Sequence, residues 1–74
     1  MMKTVKKTYA QIIRELREDH DKTQREIAEV LGIQQTVYSR YECGKSELPI
    51  HHLIPLAQYY HVSTDYLLGL TDKK

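Results

Sequence analysis

The sequence predicts an all-α fold of five short helices. Three observations lead there. Apolar residues recur every three or four positions along almost the whole of the 74 residues. The breaks between these stripes carry helix-capping and turn residues. No segment follows the two-residue alternation of a strand.

Each element follows from its residues. Tyr9, Ile12, Ile13 and Leu16 stand at i, i+3, i+4 and i+7 and form the stripe of a first helix. The polar stretch Asp19-His20-Asp21-Lys22 interrupts it. Thr23-Gln24-Arg25-Glu26 then matches a capping box, in which the threonine hydroxyl and the glutamate carboxylate satisfy each other's backbone amides. The second helix turns Ile27, Ala28 and Leu31 inward and stops at Gly32, because glycine enters the left-handed conformation without a Cβ clash. A third helix is expected from about Gln34 to Glu42, ended by Gly44. Leu53, Leu56, Ala57 and Tyr60 form a fourth stripe with Pro55 inside it. Proline there removes a backbone hydrogen bond unless it lies in the first turn, so this helix either starts late, near His52, or is kinked. Ser63 then reads as an N-cap and Asp65 as a charge at the positive end of a fifth helix, near Thr64 to Gly69, carrying Leu67 and Leu68.

Length and composition bound the function. One small domain is expected, over residues 9–70, between a flexible basic segment (1–8) and a short tail (71–74). There is no long apolar run for a membrane span and no apolar stretch of a signal peptide in MMKTVKKTYA. The single cysteine, Cys43, excludes an internal disulfide, and a cytoplasmic location is expected. Six tyrosines, with no Phe or Trp, are expected to lie at the core margin with their hydroxyls toward water or backbone. The net charge of +1 says little, but its distribution says more. Residues 1–45 hold nine Lys or Arg, whereas 46–72 hold none and three acids. One side of the molecule could face an anion and the other a protein.

The spacing within residues 24–43 carries the functional signal. Counting Gln24 as the first position, Ala28 is the fifth and Gly32 the ninth; Ile27, Leu31, Ile33, Tyr38 and Tyr41 are the fourth, eighth, tenth, fifteenth and eighteenth. Two helices crossing closely need a small residue at the fifth, a turn needs glycine at the ninth, and apolar residues at the others fix the angle between them. This is a helix-turn-helix pattern. At about 100° per residue, Val37, Tyr38 and Tyr41 of the third helix are expected on its core face. Gln35, Thr36, Ser39, Arg40 and Cys43 fan across the other. Glutamine can bond adenine, arginine can bond guanine, and a threonine methyl can touch the thymine methyl, so this face has the chemistry to read base edges. Residues near the start of such a helix reach deepest, which ranks Gln35 and Thr36 first, then Ser39 and Arg40.

The stretch TQREIAEVLGIQQTVYSRYECGKSELP, followed by STDYLLGL, resembles the lambda-repressor-like helix-turn-helix family, the Cro/CI or XRE type. The resemblance covers about residues 9–70. It implies a five-helix DNA-binding domain that regulates transcription, as a repressor acting on a double-stranded DNA operator as a homodimer. It implies that Gln24 bonds a phosphate and braces a glutamine of the third helix. Gln35, Thr36 and Arg40 fall where family members contact bases, Gln34 and Lys45 where they contact the backbone. Arg17 and Glu42 match an ion pair tying the first helix to the end of the third. The sequence departs from the pattern at Lys22 (usually Leu), Gln34 (usually Ser), Cys43 (usually Arg, Asn or Lys) and Pro55. An antitoxin of the same fold, binding a toxin protein and its own operator, is the alternative reading.

In the dimer, the stretch 46–72 is the expected contact surface, with Tyr59, Tyr66 and Leu70 as contributors or as mere completion of the core. His51, His52 and His61 raise the idea of a metal, but 51 and 52 are adjacent and expected to point apart, and there is no second cysteine. Lys3, Lys6 and Lys7 form either an arm on phosphates or a frayed tail. No nucleophile with a base and no paired carboxylates stand out. No enzyme activity, cofactor, metal or small-molecule ligand is therefore expected.

Overall fold

A computed structural model describes residues 7–74. Its helices are α1 (Tyr9–Asp19), α2 (Gln24–Leu31), α3 (Gln35–Glu42), α4 (Ile50–Tyr60) and α5 (Thr64–Leu67), and there is no strand among the described residues. Local chemistry sets most of the boundaries. α2 opens on the Thr23–Glu26 capping box, with both reciprocal bonds formed. α1 opens on a second box that the sequence reading did not single out: Thr8 Oγ1 accepts from the Gln11 amide while the Gln11 side chain accepts from the Thr8 amide. Ser63 caps α5 through the Tyr66 amide. Gly32 closes α2 at φ +71°, in the left-handed region where only glycine is free of strain.

The five helices meet in one core. Ile13, Ile27, Tyr38, Leu56 and Leu67, one from each helix, are the largest fully buried side chains. Each such burial is worth about 1.5–3 kcal/mol, so every helix is held chiefly by its neighbours rather than by its own short backbone ladder. Ile12, Leu16, Ala28, Tyr41, Leu53, Ala57 and Tyr60 complete the cluster.

Several expectations need correction. α4 starts at Ile50, not near His52, and runs through Pro55. Proline has no N–H to give the His51 carbonyl, but Leu53, Leu56 and Ala57 are buried around it, and packing overrides one missing bond. α5 ends at Leu67, and Leu68 lies largely exposed beyond it. The rings of His51 and His52 do not point apart; their centroids are 4.2 Å from each other, and His52 Nδ1 lies 3.1 Å from the Tyr41 hydroxyl.

The tyrosines divide. Tyr9 follows the expectation, its hydroxyl accepting from the Leu48 amide. Tyr38 and Tyr60 do not. Both hydroxyls are buried without a hydrogen bond of ordinary geometry to another residue, and burial raises the pKa of each. Removing the Tyr60 hydroxyl deletes a desolvated polar atom and little else. Tyr60→Phe should therefore leave the melting temperature unchanged or raise it. A fall of several degrees in a thermal melt would show that the hydroxyl is bonded.

At the ends, Lys7 pairs with Glu15 at 2.7 Å and Thr8 caps α1. The Ser63 amide donates to the Lys74 carbonyl, and the Lys74 ammonium sits 5.8 Å from the centre of the Tyr66 ring. Of the three lysines expected to form either an arm on phosphates or a frayed tail, Lys3 and Lys6 lie outside the described residues. No helix among the described residues is long and apolar enough to cross a membrane.

Candidate nucleic-acid interface

α2 and α3 form the motif's two helices, joined across Gly32, Ile33 and Gln34. The Ile33 amide donates back to the Ala28 carbonyl, which folds the turn against the end of α2. Buried Ala28 lets the helices approach closely. α3 is then gripped from behind by three side chains. Tyr38 has no exposed surface, Tyr41 packs edge-on against it, and Glu42 is buried beside them.

Glu42 is the centre of a polar network that the family resemblance only partly indicated. Its carboxylate accepts from Arg17 Nε at 2.7 Å and from Arg17 Nη2 at 3.1 Å, a bidentate pair. A third bond comes from Gln24 Nε2 at 3.0 Å. Arg17 also donates to the Lys22 carbonyl, so the polar segment before α2 is tied into the same cluster. The Arg17 and Glu42 side chains retain only 14% and 2% of their exposure. Burial alone would push the Glu42 carboxyl up. The bonds from Arg17 and Gln24, with the adjacent Tyr38 hydroxyl, outweigh it and hold the group below the usual carboxylate range. The bond to Glu42 in turn raises the Arg17 guanidinium. One cluster thus fixes α1, the start of α2 and the end of α3.

The network has an electrostatic consequence for the opposite face. Glu42 is the only acid in α3. With its charge turned inward and paired, the outer face of the helix carries no carboxylate. Gln34, Gln35, Thr36, Arg40, Cys43 and Lys45 are exposed there, whereas Ser39 is half-buried and less accessible than its spacing implied. Gln34 is the N-cap rather than the first helical residue, and its side chain makes no capping bond. The amides of Gln35 and Thr36 are thereby left without a capping partner. Arg40 donates from Nε to Ser46 Oγ at 2.9 Å, which anchors this exposed side chain to the loop after α3. Lys45 donates its amide to the Arg40 carbonyl and stands on the same loop.

Two residues are placed otherwise than the sequence implied. Gln24 does not brace a glutamine of α3; its amide nitrogen is engaged by Glu42. Val37, assigned to the core face, is 38% exposed. It lies about 100° from both Tyr38 and Thr36 around the helix, at the edge of the stripe, and the spacing did not decide which side would claim it. No group of three His, Cys, Asp or Glu among the described residues is arranged to hold a metal.

The fold and this geometry define a helix-turn-helix protein, and the chain belongs to that family: the helix-turn-helix family model matches residues 13–67. The chain is 44% identical over 64 residues to the HTH-type transcriptional regulator YobD of Bacillus subtilis (strain 168), covering 86% of this chain and 57% of that protein. A transcriptional regulator from Listeria innocua superposes with a TM-score of 0.83 at 30% identity, over 95% of this chain and 65% of that one. The P22 c2 repressor, solved in complex with a synthetic operator, superposes with a TM-score of 0.80 at 23% identity, over 88% of this chain and 98% of that one. The last likeness is one of fold. The chain spans less than two thirds of the length of YobD and of the Listeria protein.

Proposed function

We propose that this chain is a sequence-specific DNA-binding transcriptional regulator, acting as a repressor in the cytoplasm. In this reading α3 lies in the major groove of an operator. The observation that carries it is the division of α3 into a buried face, Tyr38, Tyr41 and Glu42, and an exposed face of amide, hydroxyl and guanidinium groups without a carboxylate. Gln35, Thr36 and Arg40 read base edges, with Ser39 at the margin. Lys45, Gln34, the amides at the start of α3 and the remaining N–H groups of Gln24 hold phosphates. The regulators and the operator complex among its relatives support the same reading.

One such domain touches only a few base pairs. A homodimer doubles the contacts, with half-sites about 34 Å apart or a multiple of that. Its contact surface lies in the stretch 46–72, where Leu70 is 67% exposed and Tyr59 and Tyr66 are half-buried.

The test is selection of bound sequences from a random DNA pool, followed by gel shift of the selected sequence at several salt concentrations. A shared motif should emerge. The logarithm of the binding constant should fall linearly with log salt, with a slope of about −0.9 for each phosphate neutralised. A bound pool with no motif, or affinity indifferent to salt, overturns the reading.

A further inference from the structure

We propose that Val37 is a specificity-determining residue, its isopropyl group packing against the 5-methyl group of an operator thymine. The inference rests on the reading of α3 given above and deepens it. Three observations carry it. Val37 is exposed, although the neighbouring Tyr38 is wholly buried. It lies directly between Thr36 and Tyr38 in sequence and one turn before Arg40, so it borders the groups assigned to base edges. It is also a poor local choice. Thr36 and Val37 place two β-branched residues side by side at exposed positions of a helix only eight residues long. Such residues lose side-chain freedom in a helix and disfavour it relative to alanine, lysine or glutamate. The exposed faces of α1 and α2 hold mostly charged residues, Arg14, Glu15 and Glu18 on one and Arg25, Glu26 and Glu29 on the other. Val30 of α2 is exposed as well, and what sets Val37 apart is its place beside Thr36 and one turn before Arg40. A departure from local preference at an exposed position is expected where a surface serves recognition.

The ligand chemistry follows from the groove. Along the major groove, the thymine 5-methyl is the one apolar group a base pair presents, and an apolar side chain distinguishes it from cytosine without a hydrogen bond. Amide and guanidinium groups read the polar edges; a valine beside them reads the methyl.

The experiment uses the operator selected by the whole chain and replaces its thymines by uracil, one at a time in both half-sites. This removes the methyl group and leaves base pairing intact. At one thymine the wild-type chain should lose about fourfold in affinity per half-site, the value of one buried methyl. Val37→Ala should bind the thymine operator about fourfold more weakly per half-site and be indifferent to uracil at that position. Thr36→Ser, which removes the other exposed methyl, should keep the sensitivity there. Melting of Val37→Ala should match or exceed wild type, since alanine favours the helix. The inference is overturned if Val37→Ala binds like wild type, or if it keeps every uracil sensitivity. Should Gln35→Ala and Arg40→Ala weaken binding in the same assay, the reading of α3 stands and only the role of Val37 falls. Should all three variants bind like wild type, the reading itself falls.

Discussion

Glu42→Ala is expected to destabilise the protein by about 3 kcal/mol, the low end of the cost of breaking a buried pair, because Arg17 keeps a little solvent access. The change strips three hydrogen bonds from the core edge at once and leaves the Arg17 guanidinium without its partner. For a domain of this size each kcal/mol moves the midpoint by roughly 4–8 °C, so the shift should be plain in a thermal melt. A midpoint within a few degrees of wild type would show that the network contributes little. The same carboxylate gives stability a pH dependence of defined sign. Its pKa in the folded protein lies below the unfolded value of about 4.3. Its contribution is therefore complete above that value and disappears as pH falls through the folded pKa. Wild type should lose stability on acidification below about pH 4.5, and Glu42→Ala should lack that component of the loss. Denaturant titrations of both proteins between neutral and acid pH measure it.

Arg40→Ala and Gln35→Ala should each weaken binding to the selected operator by about 1–3 kcal/mol per half-site and relax preference at the base each one reads. Neither side chain supports the core. Gln35 makes no side-chain bond among the described residues, and Arg40 makes one exposed bond to Ser46. Their melting curves should match wild type, which separates this loss from the one caused by Glu42→Ala. Lys45→Ala, by contrast, should weaken all DNA alike and lower the salt slope by about one per half-site. Wild-type affinity in Gln35→Ala and Arg40→Ala would remove α3 from the groove.

The contrast between these variants separates what a linear reading can reach from what it cannot. The helix starts were legible because a cap is local: Thr23 and Glu26 are three residues apart, and their bonds close within one turn. Gly32 was legible because its left-handed φ is a property of one residue. Tyr38 and Tyr41 were legible as anchors by their place in the motif. The hydroxyl of Tyr38 was not, since burying it depends on how closely α1 and α2 pack against α3.

By itself, the sequence determined the number and order of the helices, the turn between α2 and α3, and the polar, carboxylate-free character of one side of α3. These follow from contacts within a few residues and from the periodicity of one helix. Only the tertiary structure decided that α4 starts at Ile50 and continues past Pro55, that Gln24 serves Glu42 rather than a glutamine of α3, and that Val37 is partly exposed. Each of these depends on groups brought together from distant parts of the chain, such as Arg17, Gln24 and Glu42. A wheel drawn for one helix gives the angle between its side chains but not the width of the face that its neighbours cover, and Val37 lies at that edge.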